Sequence, residues 1–598
     1  MYIFDETDIT YRNPGGAVET PGKITLRIKL KRGEAVNPRV CLYPDGESIN
    51  EISMQYKDAV GLYDVYEADL HIEKAGLYWY HFLLETTYGI PFTVPEYAGG
   101  GFQITAYNPT KAQPDWIKGG IIYHIFVDRF RSDGQMRFSL GSVSRGDWGG
   151  CPYFLPDERG IVRNNDFFGG NLYGIIEKLP YLEELGVTCI YLSPIFEADS
   201  NHKYDTGDFM KVDAAFGGDE ALEELCKKAG KHDMKVILDG VFNHVGSDSV
   251  YFNRYGKYDS VGAYENRRSP YRDWFTFNDD GTYEAWWGIE LLPAINKTNK
   301  QYREFLCNEN GVIAHWMKKG VAGWRLDVVD EVPDILLDPL CEAIKRENKK
   351  AYIVGEVWED ASHKIAYSVR RRYFQGGQLD SVTNYPLKNA IIACVKDGDI
   401  FRLANTMASL CKNYPKHVLD SLMNIVGTHD TMRILTVLSG ATFPDNKFAM
   451  SHFKLSEQEL SLAKKRLRLA AALQFTLPGV PCVYYGDEAG MEGGADPFNR
   501  ICYPWGHEDN DLIEWYKTLA KIRKNNNCFK DGEYKLIEAK EGLFAFTRGE
   551  GKHRILTAVN ISDTDRTMTA SEFKHDLLQG EHTDAIKIKA GEVGIFKC

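Results

Sequence analysis

The first part of the chain alternates apolar and polar residues with a period of two, which predicts strands with one buried face. The apolar positions of the clearest such segment are Ile24, Leu26, Ile28 and Leu30. Further extended runs at 40–43 and 77–84 are separated by clusters of Gly, Pro and Asp, which predict turns. The pattern predicts a β-sandwich of about seven short strands over residues 1–113.

From about residue 116, short apolar runs alternate with helical segments such as 219–232 and 456–474. Their nearly continuous apolar character is typical of parallel strands that are buried on both faces. Eight β–α units in series predict a (β/α)8 TIM barrel over residues 114–527. The predicted strands are 121–127, 188–193, 235–239, 323–327, 351–356, 379–383, 421–425 and 480–485.

One connection is much longer than the others, because over 80 residues separate the third predicted strand from the fourth. Its excess, about 245–296, is rich in Tyr, Trp, Asp and Asn, and we expect an inserted subdomain on the carboxyl-terminal face of the barrel. The last segment, 528–598, returns to predicted strands at 534–538, 543–547 and 555–560, which indicates a small C-terminal β domain.

Composition and charge exclude several classes of function. The chain has 598 residues, with 71 Lys and Arg against 84 Asp and Glu, and its net charge of −13 disfavours nucleic-acid binding. No apolar stretch is long enough for a membrane span, and no signal peptide is visible, so we expect a cytoplasmic protein. The 12 Cys include no CxxC pair and no zinc spacing, which is typical of buried thiols in a reducing compartment.

Ionisable residues gather at the ends of several predicted barrel strands. Since the ends of parallel strands in a barrel meet around one axis, we expect these side chains to share one site. They are Asp239, Asn243 and His244 after the third strand, Arg325 and Asp327 at the fourth, Glu356 and Trp358 at the fifth, and His429 and Asp430 at the seventh.

Arg325 and Asp327 are two positions apart on a strand and therefore share a face. An adjacent guanidinium lowers the pKa of a carboxyl and orients it, which suits a carboxylate that stays ionised as a nucleophile. A buried ion pair that only fills the barrel explains the same two residues.

Glu356 suits a general acid if an aromatic neighbour such as Trp358 raises its pKa, although a polar residue at the rim of the barrel has the same pattern. Together with Asp327 and Asp430 it forms a set of carboxylates typical of glycoside hydrolysis. Histidine and carboxylate side chains also bind divalent metals, but no HExxH or H-x-H spacing is present.

Four short motifs, in order and each at a predicted strand end, resemble those of the α-amylase family of glycoside hydrolases. They are DGVFNH (239–244), GWRLDVVDE (323–331), GEVW (355–358) and GTHDT (427–431). The run at 180–209 and the run at 477–500 fit the same family, and the resemblance covers essentially the whole chain. Within the family, the chain is most similar to the cyclomaltodextrinase, neopullulanase and maltogenic amylase group.

The resemblance implies a role for each matching position. It implies that Asp327 is the nucleophile of a retaining mechanism, Glu356 the general acid and then base, and Asp430 a ligand of sugar hydroxyls that helps to distort the ring. Arg325 is expected to orient Asp327. The other substrate-binding residues it implies are His202, Tyr204, Asp239, His244, Trp358, His429, Asp496 and Arg500. Trp286 and Trp287, in the insertion, are candidates either for stacking on glucose or for packing.

The chain departs from ordinary α-amylases at their structural calcium site. It has Asp330-Glu331 where they carry Lys-His, a pair that resembles the cyclodextrin-degrading group. Some members of that group bind calcium in the loop after the first strand, but here the loop reads RSDGQM (131–136) and Asn171 replaces a common Asp. We therefore expect no metal or cofactor to be required. The segment LLPAIN (291–296) departs from the family's MPKLN pattern, which predicts different preferences on the acceptor side.

The resemblance implies hydrolysis of α-1,4 and some α-1,6 bonds in cyclodextrins, maltooligosaccharides, pullulan or starch. An α-glucosidase, an oligo-1,6-glucosidase or a type I pullulanase would carry the same residues, and a glycan-binding scaffold or a metal-dependent barrel enzyme is a further alternative. The similar group also implies a homodimer that forms through the N-terminal domain.

Overall fold

The computed structural model describes residues 1–95, 100–109, 113–135, 137–138, 141–158, 160–570, 572–582 and 585–598. The chain divides into two compact units. The first consists of Met1–Ala112, Asp360–Leu379 and Asn405–Leu419, and the second of Gln113–Glu359, Asp380–Ala404 and Asp420–Cys598.

Two antiparallel-rich sheets form the first unit. One contains Tyr2–Ile3, Arg12–Asn13, Gly22–Lys31, Tyr63–Ile72 and Gln55–Val60. The other contains Val18–Glu19, Phe102–Tyr107, Gly76–Thr86, Ala35–Pro44, Asn50–Ser53 and Pro91–Val94. The predicted alternation is confirmed, because Ile24, Leu26, Ile28 and Leu30 are all buried in the core of this unit.

Two segments from later in the chain also belong to the first unit. The hairpin of Ile365–Ala366 and Val369–Arg370 is tied to it by Arg370, whose Nε lies 2.7 Å from Asp45. Lys412 is tied to it by an ion pair of 2.6 Å with Glu6. Long-range ion pairs of this kind leave no pattern in the local sequence.

Eight parallel strands in the second unit form the predicted barrel sheet. In chain order they are Ile122–Ile125, Cys189–Leu192, Lys235–Gly240, Gly323–Leu326, Tyr352–Gly355, Ser381–Val382, Met423–Ile425 and Val480–Tyr484. A parallel bridge between Thr383 and Met423 joins the sixth strand to the seventh and closes the barrel. The predicted fold class is therefore confirmed.

Helices connect these strands. Side chains cap several of them: Asn171 accepts from Gly174 N, and Ser456 forms a capping box with Glu459. The helices are Val127–Phe130, Leu172–Glu177, Leu179–Glu184, Gly218–Lys231, Lys300–Cys307, Val312–Lys318, Asp334–Glu347, Tyr385–Asp397, Ile400–Asn413, Lys416–Leu419, Ile434–Leu438, Lys447–His452, Glu457–Thr476, Asn510–Lys524 and Cys528–Asp531.

The inserted segment after the third barrel strand has little regular structure in the described chain. It contains the short 3-10 helices Arg272–Trp274 and Trp286–Gly288 and several isolated bridges, one of which joins His244 to Ala294. Two further strands, Phe196–Glu197 and Asp208–Val212, pair after the second barrel strand.

The C-terminal strands form one main sheet and one separate pair. The main sheet contains Tyr534–Lys540, Leu543–Arg548, Ile555–Asn560, Val593–Lys597, His575–Asp576 and Glu581–His582, and Arg566–Met568 pairs with Ile586–Ile588. All 12 Cys are free thiols. No helix in the described part of the chain is both long and apolar enough to cross a membrane.

Candidate active site

The predicted site residues lie at the carboxyl-terminal ends of the barrel strands. Asp239 belongs to the third strand, Asp327 directly follows the fourth and Glu356 directly follows the fifth. All three carboxyl groups are buried. Because parallel strands present their carboxyl ends to the same mouth of a barrel, residues more than 100 positions apart in the sequence become neighbours here.

Arg325 connects the three carboxyls. Its Nη1 lies 2.9 Å from Asp239 Oδ1 and 2.6 Å from Asp327 Oδ1, and its Nη2 lies 3.0 Å from Glu356 Oε1. Only 3% of the guanidinium side chain is exposed. A planar fork that binds different carboxylates through neighbouring nitrogens fixes their relative positions more firmly than a flexible ammonium would.

The pKa of Asp327 differs from the sequence-based expectation, which was that Arg325 lowers it. Burial raises the pKa of Asp327 well above its usual range, and the charges of Glu356 and Asp239 act in the same direction. Burial also raises the pKa of Asp239. One guanidinium therefore faces three buried carboxyls, and for Asp327 and Asp239 its attraction does not offset desolvation and the repulsion from neighbouring carboxylates.

Besides Arg325, two donors hold the carboxyl of Glu356. The backbone N–H of Val328 donates to Oε2 over 2.9 Å, and the indole N–H of Trp358 donates to Oε1 over 3.2 Å. Val328 has a left-handed backbone with φ 38°, which a β-branched residue rarely adopts. Since this conformation accompanies the hydrogen bond to Glu356, local backbone strain is part of how the carboxyl is positioned.

Tyr204 links Asp239 to His429. Its hydroxyl lies 3.0 Å from Asp239 Oδ2 and 2.6 Å from His429 Nε2, and its ring stacks on the imidazole at 5.2 Å. Asp239 also accepts a hydrogen bond of 2.6 Å from Tyr191. Asp239 thus anchors this hydrogen-bond network from beneath the surface of the site.

The two other predicted histidines are neutral. The backbone N–H of Tyr204 donates to His202 Nδ1 over 3.1 Å, which assigns the ring proton to Nε2. His244 Nε2 lies 3.1 Å from the Tyr204 carbonyl, so this nitrogen carries the proton of His244. Burial lowers the pKa of His202 well below its usual range and that of His244 to about 3.

Asp430 is the most accessible of the predicted catalytic carboxyls, with 30% of its side chain exposed. It lies 3.1 Å from His429 Nε2 and 3.6 Å from Arg500 Nη2, and Arg500 also pairs with Asp496 at 2.9 Å. Burial, with the charge of Glu356, raises the pKa of Asp430 to about 7, and Arg500 opposes the shift.

This shift predicts a pH-dependent stability. The ordinary pKa of Asp430 is 3.8, so between about pH 4 and pH 7 the folded protein holds a proton that the unfolded chain has lost. The free energy of unfolding should therefore fall as the pH rises through this window. We expect the Tm of Asp430→Asn minus the Tm of the unsubstituted protein to increase from pH 4 to pH 7 and to stay constant above pH 7. Thermal unfolding measures both values. Equal differences at pH 5 and pH 8 would contradict the assigned shift.

These residues surround a cavity of about 550 Å³. Ten of the twelve predicted site residues line it, whereas Asp239 and Arg325 lie behind its wall. The ten are His202, Tyr204, His244, Asp327, Glu356, Trp358, His429, Asp430, Asp496 and Arg500. The structure thus brings all twelve together around one opening.

One end of the cavity is aromatic and belongs to the inserted segment. Trp286 and Trp287 both line the cavity: Trp286 stacks on His244 at 5.0 Å, and Trp287 has 78% of its surface exposed. Both indole N–H groups donate to Glu331 Oε1, over 3.1 and 3.0 Å. We call this the aromatic end, and it is lined by Trp286, Trp287, Ile289, Leu291 and Leu292.

Sequence reasoning missed several residues of the site. Asn164, in the long loop after the first barrel strand, lies 3.4 Å from His202 Nε2 and lines the cavity with Arg163. Ser200 lies 3.0 Å from His202 Nδ1. Neither strand ends nor spacing identifies these loop positions, and only the ionisable character of Arg163 offers a weak signal.

The loop after the first barrel strand, where some similar proteins bind calcium, does not offer a suitable set of ligands for the cation. The carboxylate of Asp133 accepts two bonds from Arg137, at 3.0 and 2.9 Å, and a third from Asn171 at 3.0 Å. A guanidinium thus already neutralises the main anionic ligand of this loop, and Met136 lies outside the described residues. Within the described ranges, no group of three or more His, Cys, Asp or Glu side chains is arranged to hold a metal ion.

Comparisons with known proteins agree with this geometry. Residues 124–527 match the family model for the alpha amylase catalytic domain. A cyclomaltodextrinase of Thermoanaerobacter pseudethanolicus is 31% identical, over 96% of this chain and 95% of that protein. An amylopullulanase of Thermoanaerobacterium saccharolyticum is 34% identical, over 99% of this chain and 51% of that protein. Three amylopullulanase relatives are so long that the matches cover only 32% to 51% of them.

Among solved structures, the type III pullulan hydrolase of Thermococcus kodakarensis superposes with a TM-score of 0.69 and 26% identity. The match covers 100% of both chains. The similarity therefore extends over the β-rich N-terminal and C-terminal parts as well as over the barrel.

Proposed function

Since this chain belongs to the α-amylase family, we propose that it is a retaining glycoside hydrolase that cleaves α-1,4 glucosidic bonds in maltooligosaccharides, cyclodextrins and pullulan. The single observation that carries this proposal is the binding of Asp327 and Glu356 to the two nitrogens of the Arg325 fork, at the floor of the cavity. A nucleophile and an acid held by one guanidinium suit the short carboxyl separation of retaining enzymes, ~5–5.5 Å.

The mechanism follows from the contacts of each group. Asp327 attacks the anomeric carbon as the carboxylate, whose charge Arg325 stabilises against the effect of burial, while Glu356 protonates the departing glycosidic oxygen, and a glycosyl ester forms on Asp327. Glu356 then takes a proton from water as the water displaces the ester. The neutral imidazoles and Asp430 offer hydrogen-bond donors and acceptors to sugar hydroxyls, and the buried setting strengthens each of these contacts.

A pullulan-degrading activity of the amylopullulanase type is the second candidate, because relatives of that name match nearly the whole of this chain. Those relatives are about twice as long as this chain or longer, so the activity of the whole relative is not assigned to this chain. An α-glucosidase or a type I pullulanase with the same catalytic residues would differ in the shape of the cleft.

Product analysis distinguishes these candidates. The protein is incubated side by side with β-cyclodextrin, starch, pullulan and maltotriose, and the products are separated by chromatography. We expect faster cleavage of cyclodextrin than of starch, with panose from pullulan. Maltotriose from pullulan would indicate a pullulanase, glucose from maltotriose alone would indicate an exo-acting α-glucosidase, and no product from any substrate would refute the enzymatic proposal.

Trp287 is expected to contribute to binding on the aromatic end. Its exposed ring offers a face for stacking on a glucose unit, an interaction worth roughly 1 kcal/mol, or about fivefold in affinity. In Trp287→Ala we expect KM for maltotetraose to rise about fivefold with little change in kcat, and Trp287→Phe should restore most of the affinity. Steady-state kinetics measure both values, and an unchanged KM would assign Trp287 no part in binding.

We further propose that catalysis needs no bound metal. This proposal is supported by the engagement of Asp133 with Arg137 and of Glu331 with the two indole N–H groups. Dialysis against EDTA should leave both kcat and Tm unchanged, and restoration of lost activity by added calcium would overturn the proposal.

We propose a cytoplasmic location, in which imported oligosaccharides are degraded. One relative, from Bacillus subtilis, is named an intracellular maltogenic amylase, which supports the location.

We also propose a homodimer formed through the N-terminal unit. Light scattering at micromolar concentrations should give about twice the chain mass of 67.9 kDa, and a mass near that of one chain would contradict the dimer.

A further inference from the structure

Outside the cavity, the inserted segment exposes two tyrosines beside an arginine and a glutamate. We call this surface the tyrosine ledge, and it consists of Arg254, Tyr255, Tyr264 and Glu290. The exposed fractions of Tyr255 and Tyr264 are 57% and 40%. Their ring centroids lie 5.7 and 5.5 Å from the Arg254 guanidinium carbon, so the two rings flank the same cation.

Hydrogen bonds hold the ledge in place. Arg254 Nη1 lies 2.9 Å from Glu290 Oε2 and donates to the Tyr283 hydroxyl over 2.7 Å. The Tyr283 hydroxyl donates in turn to the carbonyl of Glu290 over 2.7 Å. The inner side of Tyr264 packs on Phe252 at 5.5 Å. Arg254, Glu290 and Tyr264 are therefore held in place by the surrounding chain before a ligand binds, which lowers the entropic cost of binding.

The ledge is continuous with the aromatic end of the cavity. Glu290 stands in the chain between Ile289 and Leu291, which both line the cavity. Trp287, three residues before Glu290, is the most exposed aromatic side chain at that end. The ledge therefore adjoins this end of the cavity through the segment 289–291, to which the ion pair between Arg254 and Glu290 joins it.

The chemistry of the ledge suits a carbohydrate chain. Exposed ring faces stack on the apolar faces of sugars, and a charged pair beside them offers donors and acceptors to hydroxyl groups. We propose that the tyrosine ledge is a second α-glucan binding site, which holds the part of a polymeric chain that lies outside the cavity. The choice of α-glucan as the ligand rests on the proposed function.

Binding measurements test the ledge separately from catalysis. The full chain carrying Asp327→Asn is used throughout, so that the polymer is not degraded. Its affinity for soluble amylopectin and pullulan is measured by affinity electrophoresis, and its affinity for maltotriose by calorimetry. Tyr255→Ala, Tyr255→Phe and Tyr153→Ala are then added singly. Tyr153 is a matched control, because it is 48% exposed and lies 4.6 Å from the Arg145 guanidinium but does not line the cavity.

We expect Tyr255→Ala to weaken polymer binding at least fivefold and to leave maltotriose binding unchanged. Tyr255→Phe should retain polymer binding, since stacking needs the ring rather than the hydroxyl, and Tyr153→Ala should have no effect. Unchanged polymer binding in Tyr255→Ala, an equal loss of polymer and maltotriose, or an equal loss in Tyr153→Ala overturns the inference.

A different set of results would refute the proposed function without refuting the ledge. If the unsubstituted protein hydrolyses none of the substrates but its polymer binding depends on Tyr255, the ledge is supported and the proposed enzymatic function is refuted. A chain with Asp327→Asn that binds neither polymer overturns the ledge, whatever the unsubstituted protein hydrolyses.

Discussion

Replacing Asp327 with Asn is expected to lower kcat by roughly 10⁴-fold or more on every α-glucan substrate, because the amide cannot form the glycosyl ester. The fold should survive the change. Asn has nearly the volume of Asp and keeps an oxygen for Arg325, and burial already disfavours the charged form of Asp327. We therefore expect a Tm at or slightly above that of the unsubstituted protein, measured by calorimetry.

Asp239→Asn is the matched control for this variant. It removes a second buried carboxyl from the same guanidinium, but Asp239 lies behind the wall of the cavity and accepts from Tyr191 and Tyr204. We expect a smaller loss, on the order of 10²-fold, since an orienting group is changed and the nucleophile remains. If Asp327→Asn kept a near-normal kcat, or if Asp239→Asn lost as much activity as Asp327→Asn, the nucleophile would be wrongly assigned.

Replacing Glu356 with Gln is expected to give the second largest effect, and that effect should depend on the leaving group. Natural oligosaccharides need protonation of the departing oxygen, and their kcat should fall by ~10²–10⁴-fold. An aryl glucoside with an acidic phenol as leaving group should still form the glycosyl ester at a substantial rate. Gln has the shape of Glu and keeps one acceptor oxygen, so it can retain either the bond from Val328 N or the contact with Arg325.

Azide separates the two roles of Glu356. It attacks the glycosyl ester without the help of a base, so it should accelerate turnover of the aryl substrate by Glu356→Gln and release a glycosyl azide. It should not rescue Asp327→Asn, in which no ester forms. If Glu356→Gln lost the same fraction of kcat on activated and natural substrates, and azide had no effect, the acid/base role of Glu356 would be refuted.

The architecture was largely predictable because it depends on local patterns. A strand buried on both faces needs an apolar run, and eight such runs interleaved with helical segments predicted the closed barrel that the Thr383–Met423 bridge completes. The catalytic candidates were predictable for a related reason, since a polar residue directly after a buried strand, as at Asp327 and Glu356, lies at the mouth of the barrel.

The loops were not predictable, because their contacts join distant parts of the chain. Asn164 reaches His202 from the loop after the first strand, and Arg370 pairs with Asp45 across more than 300 positions. The left-handed backbone of Val328 is equally invisible in the sequence, since valine at that position predicts a strand.

The amino-acid pattern was enough to predict which chemical groups this protein has and that the barrel assembles them at one mouth. Their protonation states and the extent of the binding surface depend on the folded chain. The charge of Arg325 alone predicted a lowered pKa for Asp327, but packing places Asp239 and Glu356 on the same guanidinium away from water, and the pKa rises instead. A pKa depends on every charge and every excluded water molecule around the group, and their positions are set by the folded chain.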